Sequence, residues 1–269
     1  MKLIHLTDTH LTQPGQPLYG SFPAERLRDC VASINADHAD ADLCVITGDL
    51  AHAGEPAAYA EFAEIIAELK VPVQLVVGNH DHRGRLAAQF PTLQHDEHGF
   101  VQSVIHNSSG SFIFMDSVKE GTHAGAYCEK RQHWLAQQLA QASGDVYLFM
   151  HHAPFKTGIK PMDKIGLDRQ DAVNLQSLLH NQGRVKHLFF GHYHRPMHGS
   201  WAGIGFSTLR GLNHQVVLDF QEEDQYLFNH EPPAYAIVFI DDDNVVVHNH
   251  DFLDPSTPFN ALTEPEWNA

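Results

Sequence analysis

Five short apolar segments in this 269-residue sequence each end in Asp, Asn or His. In chain order, the residues at these ends are Asp8 and His10, Asp49, Asn79 and His80, His151 and His152, and His192 and His194. Short runs rich in β-branched residues are typical of buried strands. Open α/β sheets place their active sites at the carboxyl ends of such strands. We therefore expect the five ends to converge on one site.

Helical periodicity between these segments predicts a layered α/β fold. Apolar residues recur at helical spacing over 24–36 and 56–69, so the chain begins strand, helix, strand, helix, strand. This alternation is typical of a layered sheet with right-handed crossovers. Further helical patterns occupy 129–141 and 171–179. From residue 201 onward, short β-prone runs separated by turn signals predict a second, antiparallel sheet packed on the first.

Composition excludes one class of partner and favours a metal site. The chain has 33 Asp and Glu against 17 Lys and Arg, a formal net charge of −16. A nucleic acid polymer is not expected as a partner, because phosphate binding needs clustered cations. An acidic protein that handles phosphates needs metal ions to supply positive charge. The 22 histidines agree with this need, since imidazole is the commonest metal ligand.

Cysteine usage and hydropathy predict a cytoplasmic protein. The three cysteines are widely spaced and form no CxxC pair, which favours ordinary thiols over disulfides or a zinc finger. No amino-terminal run has the length of a signal peptide, and no segment reaches the ~20 apolar residues of a membrane span. We expect a catalytic domain over 1–254, an extended tail over 255–269 and no membrane partner. A homo-oligomer, dimeric or larger, remains open.

The residue types at the five strand ends predict a centre for two metal ions. One polar residue after a strand usually marks a turn or a cap. Five sets that offer carboxylate, amide and imidazole groups without thiolate suit Mn, Fe, Co or Zn. Residues two apart in an extended segment point to the same side, so Asp8 can act with His10, and His192 with His194. Two ions about 3.5 to 4 Å apart, bridged by Asp49, activate a water and hold phosphoryl oxygens.

The five sets, in this order, resemble the motifs of the calcineurin-like metallophosphoesterase superfamily. The motifs are Asp8-x-His10, Gly48-Asp49, Gly78-Asn79-His80-Asp81, His151-His152 and Gly191-His192-x-His194. Within the superfamily, the similarity is greatest to the class III cyclic nucleotide phosphodiesterases and the bacterial glycerophosphodiesterases. The resemblance implies an α/β fold, an αββα sandwich of two mixed β-sheets flanked by helices.

The resemblance also implies a role for each matched residue. The implied ligands of the first ion are Asp8, His10, Asp49 and His194. The implied ligands of the second ion are Asp49, Asn79, His151 and His192, with Asp49 bridging. His151 is preferred to His152 because it directly follows the apolar strand. The implied catalytic residues are His80, which meets the phosphate, and Asp81, which orients His80; the implied substrate-binding residues are His80, His214 and Tyr19.

Several residues near the motifs are left with open roles. Bystander histidines are the simpler interpretation for His5, His52, His82, His123 and His187. His152 is expected to support the metal ligands without binding an ion itself. Arg210 either faces an anionic part of the substrate or lies on a strand edge at the surface. Phe22 and Tyr193 are, with Tyr19, candidates for pocket walls.

These predictions combine into a metal-dependent phosphoric diester hydrolase. The expected substrates are small diesters of cyclic nucleotide or glycerophosphodiester type, attacked by a hydroxide that bridges the two ions. A phosphomonoesterase or a nucleotide pyrophosphatase is the alternative on the same centre. A non-catalytic metal-binding scaffold is a further alternative, which the complete ligand set and the presence of His80 disfavour.

Overall fold

The computed structural model describes residues 1–180 and 182–268. The helices are α1 (Pro23–Asp37), α2 (Pro56–Ile66), α3 (Arg83–Gln89), α4 (Glu129–Gln141), α5 (Lys160–Lys164) and α6 (Arg169–His180). The strands are β1 (Lys2–Leu6), β2 (Leu43–Thr47), β3 (Val73–Val76), β4 (Ser103–Asn107), β5 (Gly110–Phe114), β6 (Val146–Phe149), β7 (Val185–Phe189), β8 (Met197–Trp201), β9 (Ile204–Thr208), β10 (Gln215–Val216), β11 (Phe228–Asn229), β12 (Tyr235–Ile240) and β13 (Val245–His250).

Two mixed sheets form the centre of the described chain. The first has the order β13-β12-β1-β2-β3, and the second has the order β4-β5-β6-β7-β9-β8. In the first sheet β1, β2 and β3 run parallel, whereas β12 runs antiparallel to β1. In the second sheet β5, β6, β7 and β9 run parallel, with β4 and β8 antiparallel at the two edges. The carboxyl ends of the parallel strands carry the loops of the site.

Alternation along the strands divides the apolar residues among three cores. Ile4 of β1 belongs to the core that contains Leu27 of α1 and Phe62 of α2. Its neighbour Leu3 points to the opposite face and packs with Phe149 of the second sheet. A third core joins the outer face of the second sheet to α4 and α6. The layers are therefore helix, sheet, sheet and helix, as predicted.

The prediction of a separate antiparallel sheet late in the chain was wrong. β12 and β13 extend the first sheet beyond β1, and β9 and β8 extend the second sheet beyond β7. The unpaired edges of β1 and β7 supply the reason, because an exposed row of backbone donors and acceptors favours pairing with any strand nearby. Only β10 and β11 form a small sheet of their own within the described residues.

The tail contains short helical turns that were not predicted. Residues 251–260 lack regular structure, but Ala261–Thr263 and Pro265–Asn268 form 3₁₀ turns. The predicted boundary between 254 and 255 stays a prediction, and Ala269 lies outside the described residues. None of the helices in residues 1–180 and 182–268 is long and apolar enough to cross a membrane.

Candidate metal centre

Most of the predicted metal ligands have a left-handed backbone conformation. The φ angles are 53° at Asp8, 47° at His10, 51° at Asp49, 69° at His192 and 46° at His194. Residues other than glycine rarely adopt positive φ, at a cost on the order of 1 kcal/mol or more each. Such strain persists where the surrounding structure enforces it, and it is concentrated at functional sites. The loops after β1, β2 and β7 share this feature.

Two glycines allow these loops to approach one another closely. A Cβ added to Gly78 would collide with the backbone nitrogen and the carboxylate of Asp49. Gly48 has a φ of 97°, and its added Cβ would lie 2.5 Å from Nδ1 of His151. A side chain at either position would push the bridging carboxylate or its neighbour away.

The four residues predicted for the first ion converge in a buried cluster. One ligand atom from each of Asp8, His10, Asp49 and His194 lies within 4.8 Å of the others. Nε2 of His194 lies 3.2 Å from Oδ1 of Asp8. Nε2 of His10 lies 3.1 Å from Nε2 of His194 and 3.6 Å from Oδ2 of Asp49.

The residues predicted for the second ion surround the same carboxylate oxygen. Nε2 of His151 lies 3.3 Å from Oδ2 of Asp49 and 3.1 Å from Oδ1 of Asn79. The Asp49 oxygen therefore lies between His10 of one set and His151 of the other, which is the geometry of a bridge. Nε2 of His192 is buried and has no hydrogen-bond partner in the described residues. A buried imidazole nitrogen of this kind fits an ion, since it is costly to leave unpaired.

Hydrogen bonds to the other ring nitrogens set the tautomers. Nδ1 of His151 donates to the carbonyl oxygen of Thr47 at 2.8 Å, and Nδ1 of His194 donates to that of His214 at 2.7 Å. Both bonds direct Nε2 into the cluster, where it can bind an ion once it has lost its proton. His152 differs, because its Nε2 donates to the His123 carbonyl at 3.1 Å and its Nδ1 lies 2.8 Å from Oγ of Ser117. These bonds favour His151 as the ligand and His152 as a support.

Charge in the cluster favours an ionised Asp49 surrounded by both neutral and protonated imidazoles. Burial acts to raise the pKa of Asp49, but His151, His80 and His10 outweigh it and hold the pKa well below its usual value. Burial lowers the pKa of His10 and of His192 well below the usual value, so both rings keep a free lone pair. Burial also acts on His151, but the attraction of Asp49 raises the pKa of His151 to about 9. The donor set therefore fits two divalent ions, which would take the place of the proton at His151.

A cavity of about 400 Å³ opens beside the cluster. The predicted substrate residues His80, His214 and Tyr19 all line it. His80 donates from Nδ1 to the carbonyl oxygen of His52 at 2.6 Å. Nδ1 of His214 lies 3.3 Å from the amide nitrogen of Asn213, so His214 carries its proton on Nε2. The Tyr19 ring meets the His214 ring edge to face at 4.9 Å.

In the described residues, Asp81 forms no hydrogen bond with the side chain of His80, which it was expected to orient. The Asp81 carboxylate accepts hydrogen bonds from the backbone nitrogens of Gly78, Leu50 and Ala51 and from the hydroxyl of Tyr59. These four donors surround its two oxygens, whereas His80 is oriented by the His52 carbonyl. Asp81 thus holds the loop that carries Asp49 against the loop that carries Asn79.

Of the residues whose roles the sequence left open, some line the cavity and others lie away from it. His52 and His123 line the cavity, and Nδ1 of His123 lies 2.9 Å from the Asn79 amide nitrogen. His82 caps α3 by accepting from the backbone nitrogen of Arg85. Arg210 pairs with Asp251, directly after β13, and it is not among the residues that line the cavity.

The walls of the cavity were mostly missed by sequence reasoning. Tyr193 is fully buried in the core beneath the second sheet, and Phe22 lies at the start of α1. The apolar wall is instead formed by Met162, Ile165, Tyr226 and Phe228. Only Tyr19 was predicted, because the others lie in or just after α5 and in or just before β11, which carry no local signal that places them at the site.

The chain is similar to known proteins over most of its length. The family described as calcineurin-like phosphoesterase matches residues 1–196. A probable cyclic nucleotide phosphodiesterase of Rhodopseudomonas palustris is 42% identical over 257 residues, covering 94% of this chain and 93% of the relative. A probable glycerophosphodiester phosphodiesterase of Arcobacter nitrofigilis is 32% identical over 244 residues, covering 88% of each chain. The crystal structure of a dimetal phosphatase from Danio rerio has a TM-score of 0.67 at 16% identity, over 92% of this chain and 95% of that chain.

Proposed function

Because the chain belongs to the calcineurin-like phosphoesterase family, we propose that it hydrolyses cyclic nucleotides at a centre of two divalent transition-metal ions. The broader prediction of a metal-dependent phosphoric diester hydrolase is confirmed by the family and by the phosphodiesterase names of both relatives. The substrate, the identity of the ions and the roles of single residues belong to the proposal.

The observation that carries the substrate class is the two-sided cavity beside the cluster. One side presents imidazoles and a carboxylate, and the other presents Met162, Ile165, Tyr226 and Phe228. Phe228 lies nearly parallel to Tyr19, with ring centroids 5.8 Å apart and an interplanar angle of 25°. A nucleobase has a flat, largely apolar face that packs well on such rings, whereas the hydroxyls of a glycerol diester need polar partners. The likeness to a relative named as a cyclic nucleotide phosphodiesterase supports the same choice.

We assign the ligand roles as the cluster geometry suggests. The first ion is held by Asp8, His10, Asp49 and His194, and the second by Asp49, Asn79, His151 and His192. Two divalent ions, when bound, lower the pKa of water and neutralise charge on a phosphoryl group. Nitrogen and oxygen donors without thiolate suit Mn, Fe, Co or Zn.

The chain's own side chains then bind the phosphate and move one proton. The His52 carbonyl fixes Nδ1 of His80, which leaves Nε2 of His80 for the substrate. His214 donates from Nε2 to a phosphate oxygen, since its Nδ1 accepts from Asn213. His80, when it carries a proton on both ring nitrogens, gives the Nε2 proton to the ribose oxygen as water adds to phosphorus and the P–O bond to that oxygen breaks. The product is a nucleoside monophosphate.

A substrate panel with defined ions tests this proposal. Metal-stripped protein is reloaded with Mn, Fe, Co or Zn and assayed on cyclic AMP, cyclic GMP, glycerophosphoethanolamine and p-nitrophenyl phosphate. We expect the highest kcat/KM on a cyclic nucleotide. Preference for the glycerol diester or for the monoester would overturn the substrate assignment, and full activity without metal would overturn the mechanism.

The remaining predictions concern the whole protein and accompany this proposal. We propose a single catalytic domain over 1–254, a cytoplasmic location, and no membrane or nucleic acid polymer as partner. The acidic net charge of −16 supports the last point. The oligomeric state stays open, and light scattering after size-exclusion chromatography distinguishes a monomer from a dimer or a larger homo-oligomer.

A further inference from the structure

His52 contacts a residue of the metal cluster and a residue of the cavity through different atoms. Its Nδ1 lies 3.3 Å from Nδ1 of His10, and its backbone carbonyl accepts from Nδ1 of His80 at 2.6 Å. Its ring stacks on the His80 ring with centroids 4.8 Å apart and an interplanar angle of 21°. His10 belongs to the metal cluster and His80 to the cavity that would receive substrate.

The contact with His10 has a defined direction once Nε2 of His10 faces the cluster. That nitrogen lies 3.1 Å from Nε2 of His194 and 3.6 Å from the Asp49 carboxylate, where an ion takes its lone pair. The ring proton of His10 then lies on Nδ1 and needs an acceptor. The acceptor within reach is Nδ1 of His52. Ligating histidines usually donate their second N–H to a partner that fixes the ring and raises its basicity.

The position of His52 is itself fixed by the backbone. Its amide nitrogen donates to the carbonyl oxygen of Leu11 at 2.8 Å, and Ala51 forms a bridge with Leu11. The loop after β2 is thereby tied to the loop after β1, which carries His10. The Tyr19 ring packs edge to face on the other flank of His52, at 5.9 Å. The imidazole is held between these neighbours rather than free to rotate.

We propose that His52 is a positioning residue that links the first-ion ligand His10 to the phosphate-facing His80. Its ring nitrogen orients His10, and its carbonyl and ring face orient His80. The inference rests on the proposed function, because it assumes that Nε2 of His10 binds an ion. It makes ion binding and substrate binding depend on different atoms of one residue.

Two substitutions separate these contributions. His52→Phe keeps an aromatic ring against His80 but removes the acceptor for His10. His52→Asn keeps an acceptor of similar reach but removes the stacked ring. Both variants retain the backbone carbonyl, so the bond from His80 persists. The matched control is His82→Asn, because His82 lies outside the cavity and asparagine is a good helix cap.

Ion binding is measured by titration calorimetry with Mn on metal-stripped protein, independently of hydrolysis. We expect His52→Phe to weaken one of two binding events by roughly 10-fold to 100-fold, and His52→Asn to restore most of that affinity. We expect His52→Asn to raise KM for the cyclic nucleotide more than His52→Phe does. Thermal unfolding of the metal-free variants reports whether each is folded.

The outcomes distinguish this proposal from the proposed function. If wild-type protein binds two ions but His52→Phe, still folded, binds both equally tightly, the positioning role is overturned while the centre stands. If His52→Asn binds as weakly as His52→Phe, the acceptor role is also overturned. If wild-type protein binds no ion tightly, the proposed function itself fails.

Discussion

Nε2 of His10 and Nε2 of His194 lie 3.1 Å apart in the buried cluster. Nδ1 of His194 donates to the His214 carbonyl, which directs its Nε2 toward Oδ1 of Asp8 at 3.2 Å. Burial acts to lower the pKa of His194, but Asp8 outweighs burial and raises the pKa, so a proton can lie on Nε2 between the two rings and the carboxylate. A divalent ion in its place would bring more positive charge to the two buried carboxylates than this proton does.

Ion binding should consequently stabilise the protein strongly. An ion that binds only the folded state adds about 2.7 kcal/mol to the unfolding free energy at 100 times its Kd. We expect Mn or Zn to raise the melting temperature of metal-stripped protein and a chelator to reverse the rise. The control is His194→Ala, which should lose part of this response. An unchanged melting temperature on addition of every tested ion would contradict the assignment of the centre.

Replacement of His80 should impair chemistry without removing the ions. The His80 side chain lines the cavity and bonds to the His52 carbonyl, whereas the predicted ligand atoms come from other residues. We expect His80→Ala to lower kcat by roughly 100-fold, the lower range for loss of a general acid. Calorimetry should still detect two ions. The control His82→Asn should retain wild-type kcat.

How far the sequence predicted the site depends on how local each signal is. The ligands follow directly from strands, so Asp8, His10 and Asp49 could be placed at one sheet edge from the chain pattern alone. Tyr226 and Phe228 could not, because they lie in and just before β11, and the other residues of the cavity are distant from them in sequence. The role of Asp81 was missed for another reason. Its partners are mainly backbone nitrogens, which leave no trace in the amino-acid pattern.

In the fold, too, the features with a local sequence signal were predictable and the contacts between distant segments were not. The order of β1, α1, β2, α2 and β3 follows from periodicity and the handedness of crossovers. The partners of β9 and β12 do not, because short β-prone runs can pair with any open edge. Their pairing with β7 and β1 is decided by which edges the core leaves exposed.

Aromatic truncation should discriminate among substrates. Phe228 forms part of the apolar wall and packs against both Tyr19 and His214. Loss of one stacking partner costs about 1 kcal/mol, so Phe228→Ala should raise KM for cyclic AMP by roughly 5-fold or more. The kcat/KM for glycerophosphoethanolamine should change little, because that substrate has no base. Equal losses on both substrates would assign Phe228 to general packing instead.

Removal of the Asp81 carboxylate should reduce stability. Three backbone N–H groups and the Tyr59 hydroxyl donate to it, and burial with the nearby Asp49 raises the pKa of Asp81 to about 6. Asp81→Ala leaves these donors unpaired. An unpaired buried donor lowers the unfolding free energy by about 1 to 3 kcal/mol. Urea unfolding of metal-free protein measures the loss. If stability is unchanged while kcat falls, Asp81 acts on His80 after all.

Buried histidines outside the metal cluster should make stability fall in acid. Burial lowers the pKa of His187 to about 4, and burial together with His187 lowers the pKa of His5 to about 3. Both remain neutral in the folded protein below pH 6.5, where the unfolded chain binds a proton at each. The unfolding free energy therefore falls as pH decreases from 6.5 toward 4, by about 1.4 kcal/mol per pH unit for each residue.

Substitution of one of these histidines should remove its share of the pH dependence. His187→Gln keeps a polar group near Oγ of Ser207, to which Nε2 of His187 lies 2.9 Å away, but it cannot titrate. We expect its unfolding free energy, measured in urea with chelator present, to depend less steeply on pH between 6 and 4.5. The difference in slope should approach 1.4 kcal/mol per pH unit. His95→Gln, at an exposed position, is the control and should keep the wild-type slope. Equal slopes for His187→Gln and wild type would mean that His187 is already protonated in the folded protein, and that burial does not hold it neutral.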